Sequence, residues 1–217
     1  MKTIGMDGLN SSGKGTQIRL LRGYFSKKDI SSVILRGAGL RAGRGLRNYD
    51  PPSKWWGENA QELLDKSTDY AEKLNDEYQR LSREFAAYKR RGRKKVVLLD
   101  RSFVSRYFAM RQFFPNISLQ EALTSYNPKN GKEVAGVVPD ITFVLEVGKE
   151  VLLDRIRRKE GFNLARKEIV ERTIKENYNL FCEILEEVRS REEIWVLDGE
   201  KDLYDLNKEI VGIIKNE

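Results

Sequence analysis

The feature that most constrains this chain is the run Gly8-Leu9-Asn10-Ser11-Ser12-Gly13-Lys14-Gly15-Thr16, which follows a short apolar stretch and opens an amphipathic one. It matches G-x-x-x-x-G-K, and each part of the pattern has a mechanical reason. Glycines at both ends let the backbone curl so that its N–H groups face inward. The helix that follows presents its positive end, and a lysine in this position reaches the β- and γ-phosphates of a nucleotide. Gly8, Asn10, Ser11, Ser12, Gly13, Lys14, Gly15 and Thr16 are therefore the candidate nucleotide-binding residues. The hydroxyl that usually follows the lysine directly is displaced by one: Gly15 stands there, and Thr16 is left to meet either Mg²⁺ or the α-phosphate.

Apolar runs and breakers extend this opening along the chain. Strands are expected at 3–6, 31–35, 96–99, 141–147 and 194–197, and helices at 16–27, 58–91, 103–114, 149–159, 166–190 and 202–215. The four-residue run at 96–99, bounded by Lys95 and Asp100, has the unbroken apolar character of a strand buried on both faces of a parallel sheet. Strands alternating with helices predict an α/β fold, a doubly wound five-stranded parallel sheet flanked by helices. No linker marks a second independent domain, so residues 1–217 are expected to form a single domain. In such sheets ligands bind beyond the carboxyl ends of the strands. Those ends carry Asp7, Arg36, Asp100-Arg101, Glu146 and Asp198-Gly199.

Composition narrows the chemistry. The 217 residues contain no histidine, which excludes Ser-His-Asp and Cys-His catalysis and imidazole-ligated zinc. Acid–base work falls to carboxylates, lysines, tyrosines or water. A single cysteine, Cys182, forms no intrachain disulfide and points to a reducing, cytoplasmic location. No stretch approaches ~20 apolar residues, so a soluble protein without membrane association is expected. The formal charge of +7 suits nucleic acid, anionic lipid or small phosphorylated ligands. The basic run at 89–95 lacks interleaved aromatics and reads as a solvated helix end rather than a nucleic-acid patch. The Asn-Lys-x-Asp motif of a GTPase is absent; Asn127-Pro128-Lys129-Asn130 reads as a turn.

Several stretches in order carry a more specific likeness. Asp7-Gly8 with the glycine loop and Gln17, Arg36 after the second strand, Asp100-Arg101-Ser102 with Ser105, and Pro139-Asp140-Ile141-Thr142 resemble successive motifs of the thymidylate kinase family. Arg155, Arg157, Arg158 and Arg166 ahead of Tyr178 resemble its basic lid, and residues 195–199 its last strand and adenine-side loop. The sequence departs from that pattern at Gly37-Ala38-Gly39, which lacks the family's Glu-Pro, at Ser102, which replaces a tyrosine, and at 66–69, where the family has an arginine. Asp100-Arg101-Ser102 followed by Arg106-Tyr107-Phe108-Ala109 also resembles deoxynucleoside kinases, as does the 50–55 segment ending in Trp55.

The first resemblance implies a P-loop kinase with a short basic lid near 155–168, transferring the γ-phosphoryl of ATP to a nucleoside monophosphate, best matched by dTMP, with Mg²⁺ as cofactor. Within it Lys14, Asp100, Arg101, Arg157 and Arg158 would be catalytic, and Asp198 would border the cofactor. Asp7, Arg36, Arg101 and Ser105 would hold the acceptor, while Thr16 and Asp100 would serve the metal. It further implies a homodimer acting on small nucleotides and not on nucleic acid. Two alternatives stand beside it: a kinase that phosphorylates a nucleoside 5′-hydroxyl, and a P-loop protein without kinase activity that binds nucleotide and contacts nucleic acid.

Overall fold

A computed structural model describes residues 2–36, 79–80, 82–87, 95–112, 114–126, 133–135, 137–159 and 164–217. In chain order the elements are β1 (Lys2–Gly8), α1 (Lys14–Ser26), β2 (Ser31–Arg36), β3 (Lys95–Asp100), α2 (Phe103–Arg111), α3 (Leu119–Leu123), β4 (Thr124–Tyr126), β5 (Glu133–Ala135), β6 (Ile141–Glu146), α4 (Lys149–Arg157), α5 (Leu164–Val188), β7 (Ile194–Asp198) and α6 (Leu203–Asn216). Of the long helix expected at 58–91, residues 79–80 and 82–87 are helical; the rest, with the 37–50 loop, Trp55, the 89–94 basic run and the 127–130 turn, lies outside the described residues.

The chain divides into two compact units. The first comprises Met1–Leu35, Arg93–Asp100 and Pro139–Glu217. Its sheet has the strand order β2-β3-β1-β6-β7. β1 runs parallel to β3, pairing Met6 with Asp100, and parallel to β6, pairing Asp7 with Val144 and Gly8 with Leu145. β6 in turn runs parallel to β7, with Glu146 opposite Asp198. This is the expected five-stranded parallel sheet. Its central strand is β1, so the loop after β1 leaves from the carboxyl edge of the sheet with a neighbouring strand on either side.

Burial on both faces explains why these runs are largely apolar strands. Ile4, Met6, Val96, Leu98, Phe143 and Leu145 join Ile18, Leu21 and Phe25 of α1 and Leu206, Ile210 and Ile214 of α6 in one core. The intervening Thr3, Val97, Leu99, Thr142 and Val144 are buried as well. With both faces covered, the strand sequences lose the polar alternation of a half-exposed sheet. Fully burying each large aliphatic side chain stabilises by roughly 1.5–3 kcal/mol. α6 has a defined start, where the Asp202 carboxylate accepts hydrogen bonds from the amides of Tyr204 at 2.8 Å and Asp205 at 3.3 Å. Such a cap contributes about 1 kcal/mol.

The second unit comprises Arg36–Gly92 and Arg101–Val138. Within it α2 ends at Arg111 rather than reaching 114 as expected. Pro115 supplies the reason, because a proline disfavours helical geometry in the residue before it. α3 and the antiparallel β4–β5 pair, which joins Thr124 to Ala135, were not anticipated. α3 begins in a reciprocal cap: the Glu121 amide donates to Ser118 Oγ at 3.2 Å, while the Ser118 amide and hydroxyl donate to Glu121 Oε2 at 2.8 and 2.6 Å. Those bonds from Ser118 hold the Glu121 carboxyl below its usual range.

Candidate active site

The glycine loop connects β1 to α1 and is shaped by positive φ angles at Gly8 (133°), Ser11 (65°) and Gly13 (102°). Gly13 is the N-cap of α1, and no side chain caps that helix or places an acid in its first turn. Gly8 is fixed by space as well as by φ. A Cβ there would lie 2.7 Å from both the Leu145 carbonyl oxygen and Ser12 Oγ. The Leu145 oxygen belongs to β6 and has no freedom to withdraw. Gly8→Ala is therefore expected to distort the loop at a cost of about 1–3 kcal/mol. Thermal unfolding would show this as a melting point lower by about 3–10 °C, and ATP binding should weaken at least about 10-fold, since ~1.4 kcal/mol is tenfold.

Lys14 opens α1 and turns back into the loop. It is 7% exposed, and its ammonium donates to the carbonyl oxygens of Gly8 at 2.7 Å and Leu9 at 2.6 Å and to Ser12 Oγ at 3.3 Å. A buried cation must be satisfied, and these neutral acceptors do so within the loop. A phosphate entering the loop would offer the same ammonium a charge-assisted bond, roughly twice as strong as a neutral one. Space is open where α1 begins, for a Cβ placed on Gly15 would meet nothing within 4 Å. Asn10 and Ser11 line the loop half-exposed, and Thr16 in the first turn accepts from Arg19 at 3.3 Å.

Carboxylates gather on the same strand edge. Asp7, fully buried, lies one position beyond the Met6–Asp100 pair, so Asp7 and Asp100 occupy the ends of adjacent strands. Among the described residues no group of three or more acidic, cysteine or histidine side chains is assembled for a metal. The donors beside the loop are instead oxygens: the Thr16 hydroxyl and the Asp7 and Asp100 carboxylates. Mg²⁺ takes such hard ligands one or two at a time and fills its shell with water and phosphate oxygens, so this donor set fits it.

Asp198 ends β7, exposed, and accepts from the Glu200 amide at 2.8 Å. The lid arginines differ from one another. Arg155 donates to the Gly199 carbonyl oxygen at 3.0 Å and thereby ties α4 to the turn after β7, a role the lid resemblance did not suggest. Arg157, exposed, pairs with Glu171 at 3.4 Å, and Arg158, exposed, pairs with Asp154 at 2.9 Å. Exposed pairs of this kind are worth roughly 0–1 kcal/mol, so either guanidinium is cheaply released toward a phosphate. Arg166 falls within α5, and Arg36 closes β2.

In the second unit Arg101 adopts φ of 72°, a left-handed conformation at a residue with a large side chain. Ser102 follows as the buried N-cap of α2, and Ser105 is buried one turn on. Arg106 is almost wholly buried and donates to the Ala122 carbonyl oxygen at 2.5 Å, which joins α2 to α3. Arg111 donates to the Tyr107 hydroxyl at 2.8 Å and lies 5.5 Å from its ring centroid. Back in the first unit, burial pushes the Cys182 thiol up, with neighbouring glutamates adding to the effect against a bond to Tyr178 that lowers it. The thiol stays protonated at neutral pH, which is the wrong state for a nucleophile.

A parallel sheet whose central strand feeds a glycine loop, a lysine folded into that loop, and carboxylates along the neighbouring strand ends define a P-loop protein built to handle nucleotide phosphates. Comparison with known sequences is more specific. The sequence model described as thymidylate kinase matches residues 6–210. A thymidylate kinase of Thermoanaerobacter sp. (strain X514) is 23% identical over 218 residues, covering 99% of this chain and 97% of that one. Those of Kosmotoga olearia and Carboxydothermus hydrogenoformans are each 25% identical, covering 96% and 99% of this chain and 92% and 97% of theirs. The chain belongs to the thymidylate kinase family, a family of ATP-dependent nucleoside monophosphate kinases.

Proposed function

We propose that the protein transfers the γ-phosphoryl group of ATP to dTMP, giving dTDP and ADP. The observation that carries this reading is the glycine loop with Lys14 turned into it, in a chain matched to the family from residue 6 to 210. Residues 1–217 act as one kinase domain with a basic lid near 155–168. The protein works as a cytoplasmic homodimer on small nucleotides. Among the described residues no helix is long and apolar enough to cross a membrane.

Phosphoryl transfer asks the protein for position and charge neutralisation rather than covalent chemistry. The amides of the 8–16 loop and Lys14 hold the β- and γ-phosphates of ATP, and Asp198 borders the nucleotide on the β7 side. Arg36 and Arg101 grip the acceptor phosphate, two of whose oxygens can each take a hydrogen bond from one planar guanidinium fork. Asp7 and Ser105 complete the acceptor side. Arg157 and Arg158, freed from Glu171 and Asp154, close on the transferring group. Asp100 and Thr16 would hold Mg²⁺, which when bound supplies neutralisation of the phosphate oxygens. A monophosphate is ionised at neutral pH, so its oxygen attacks without a general base. That requirement suits a chain with no histidine.

ADP release, followed with Mg²⁺, ATP and a panel of nucleosides and their monophosphates, tests the reading. Turnover is expected with dTMP and not with thymidine. Phosphorylation of a nucleoside while every monophosphate is inert would replace it with the nucleoside kinase alternative. Binding to nucleic acid that falls steeply with salt, with no transfer to any small acceptor, would replace it with the third.

A further inference from the structure

Gln17 is 1% exposed and sits in the first turn of α1, three residues after Lys14, its amide donating to the Gly13 carbonyl oxygen at 3.1 Å. Its side chain reaches α6. Nε2 donates to the Leu203 carbonyl oxygen at 3.0 Å, and Oε1 accepts from Asn207 Nδ2 at 3.0 Å. Both partners lie in the first two turns of α6. One carboxamide thus uses its donor and its acceptor to fix the start of α6 against the start of α1.

The segment just before α6 is fixed from the other side. The Gly199 amide donates to the Glu146 carbonyl oxygen at 2.7 Å, the Gly148 amide donates to Glu200 Oε1 at 2.7 Å, and Arg155 donates to the Gly199 oxygen at 3.0 Å. Residues 198–204 therefore form a bridge, tied at one end to the end of β6 and to α4, and at the other, through Gln17, to the helix that presents the phosphate loop. Leu203 and Tyr204 stand exposed on it, at 37% and 64%.

We infer that Gln17 and Asn207 are a positioning pair that sets the 198–204 segment, on the base side of the bound nucleotide, at a fixed placement relative to the phosphate loop. The inference rests on the kinase reading above. A nucleotide spans a set length from base to γ-phosphate, and a site whose two ends are held in register binds it with less ordering cost. Neither residue touches the reacting atoms. The pair therefore matters to a ligand with both base and phosphates, and not to phosphates alone.

Calorimetric titration of the full chain, in Mg²⁺, with ATP and with inorganic tripolyphosphate separates these cases. Asn207→Leu leaves the Gln17 oxygen buried without its donor, and it is expected to weaken ATP about 10-fold and tripolyphosphate less than about 2-fold. Gln17→Glu keeps the acceptor for Asn207 but loses the donor to Leu203, and is expected to show the same selective loss should the first variant fold poorly. Equal weakening of both ligands, or of neither, overturns the positioning role while the kinase reading stands. A wild-type protein that binds neither ligand overturns both.

Discussion

Lys14→Met is expected to abolish phosphoryl transfer, lowering kcat by about 10³-fold or more, while the protein stays folded. The rate effect follows from removing the one cation built into the loop: preorganised charge at the transferring group is typically worth 10²- to 10³-fold for a single donor and up to about 10⁵ for a cation. The folding effect follows from what Lys14 does without ligand. Its ammonium is buried against Gly8 O, Leu9 O and Ser12 Oγ, and methionine fills a similar volume but leaves those acceptors without their donor, at a cost of about 1–3 kcal/mol. A cooperative unfolding transition with a melting point lower by about 2–10 °C, beside a collapsed rate, is the expected pair of results. Full activity in Lys14→Met would remove the loop from the mechanism.

Arg101→Gly is expected to lower kcat/KM for the monophosphate at least about 100-fold while the backbone at that position is not destabilised. Left-handed geometry at a non-glycine residue costs about 1–2 kcal/mol. Glycine would relieve that strain at φ of 72° and return a similar amount as unfolded-state entropy, so the backbone contribution to stability should change by no more than about 1 kcal/mol. A strained arginine is retained only if its guanidinium is needed, and a bidentate grip on a phosphate is a need glycine does not meet. Arg101→Lys should recover little, because an ammonium is a point charge and not a fork. Chemical denaturation and steady-state kinetics on the two variants check both halves. An Arg101→Gly enzyme with normal kinetics would leave the strain without a functional cause.

Most of the first unit was legible in the sequence because its signals are local or symmetric. The 8–16 loop carries its own geometry in its glycines and lysine, and the apolar runs at 96–99 and 141–146 announce strands buried on both faces. What escaped prediction depends on contacts or on elements too short to show a period. α3, five residues long, has no apolar repeat, yet Ser118-Leu119-Gln120-Glu121 is a capping-box pattern that would have marked its start. The three-residue strands β4 and β5 exist through pairing with each other. Arg106 showed only as part of a stretch resembling deoxynucleoside kinases and Arg155 only as lid charge, but one is buried on Ala122 O and the other is fastened to Gly199 O. Gln17 was visible only as part of a motif; its partner Asn207 lies 190 positions away, a separation no local pattern encodes.

The most direct test of the account follows the phosphorus atom itself. With γ-labelled ATP, Mg²⁺ and dTMP, the wild-type protein should place the label in dTDP at its β-phosphate, one labelled dTDP for each ADP formed, and Lys14→Met should form neither. Label that appears only as inorganic phosphate, or that enters thymidine while dTMP remains unlabelled, would contradict it.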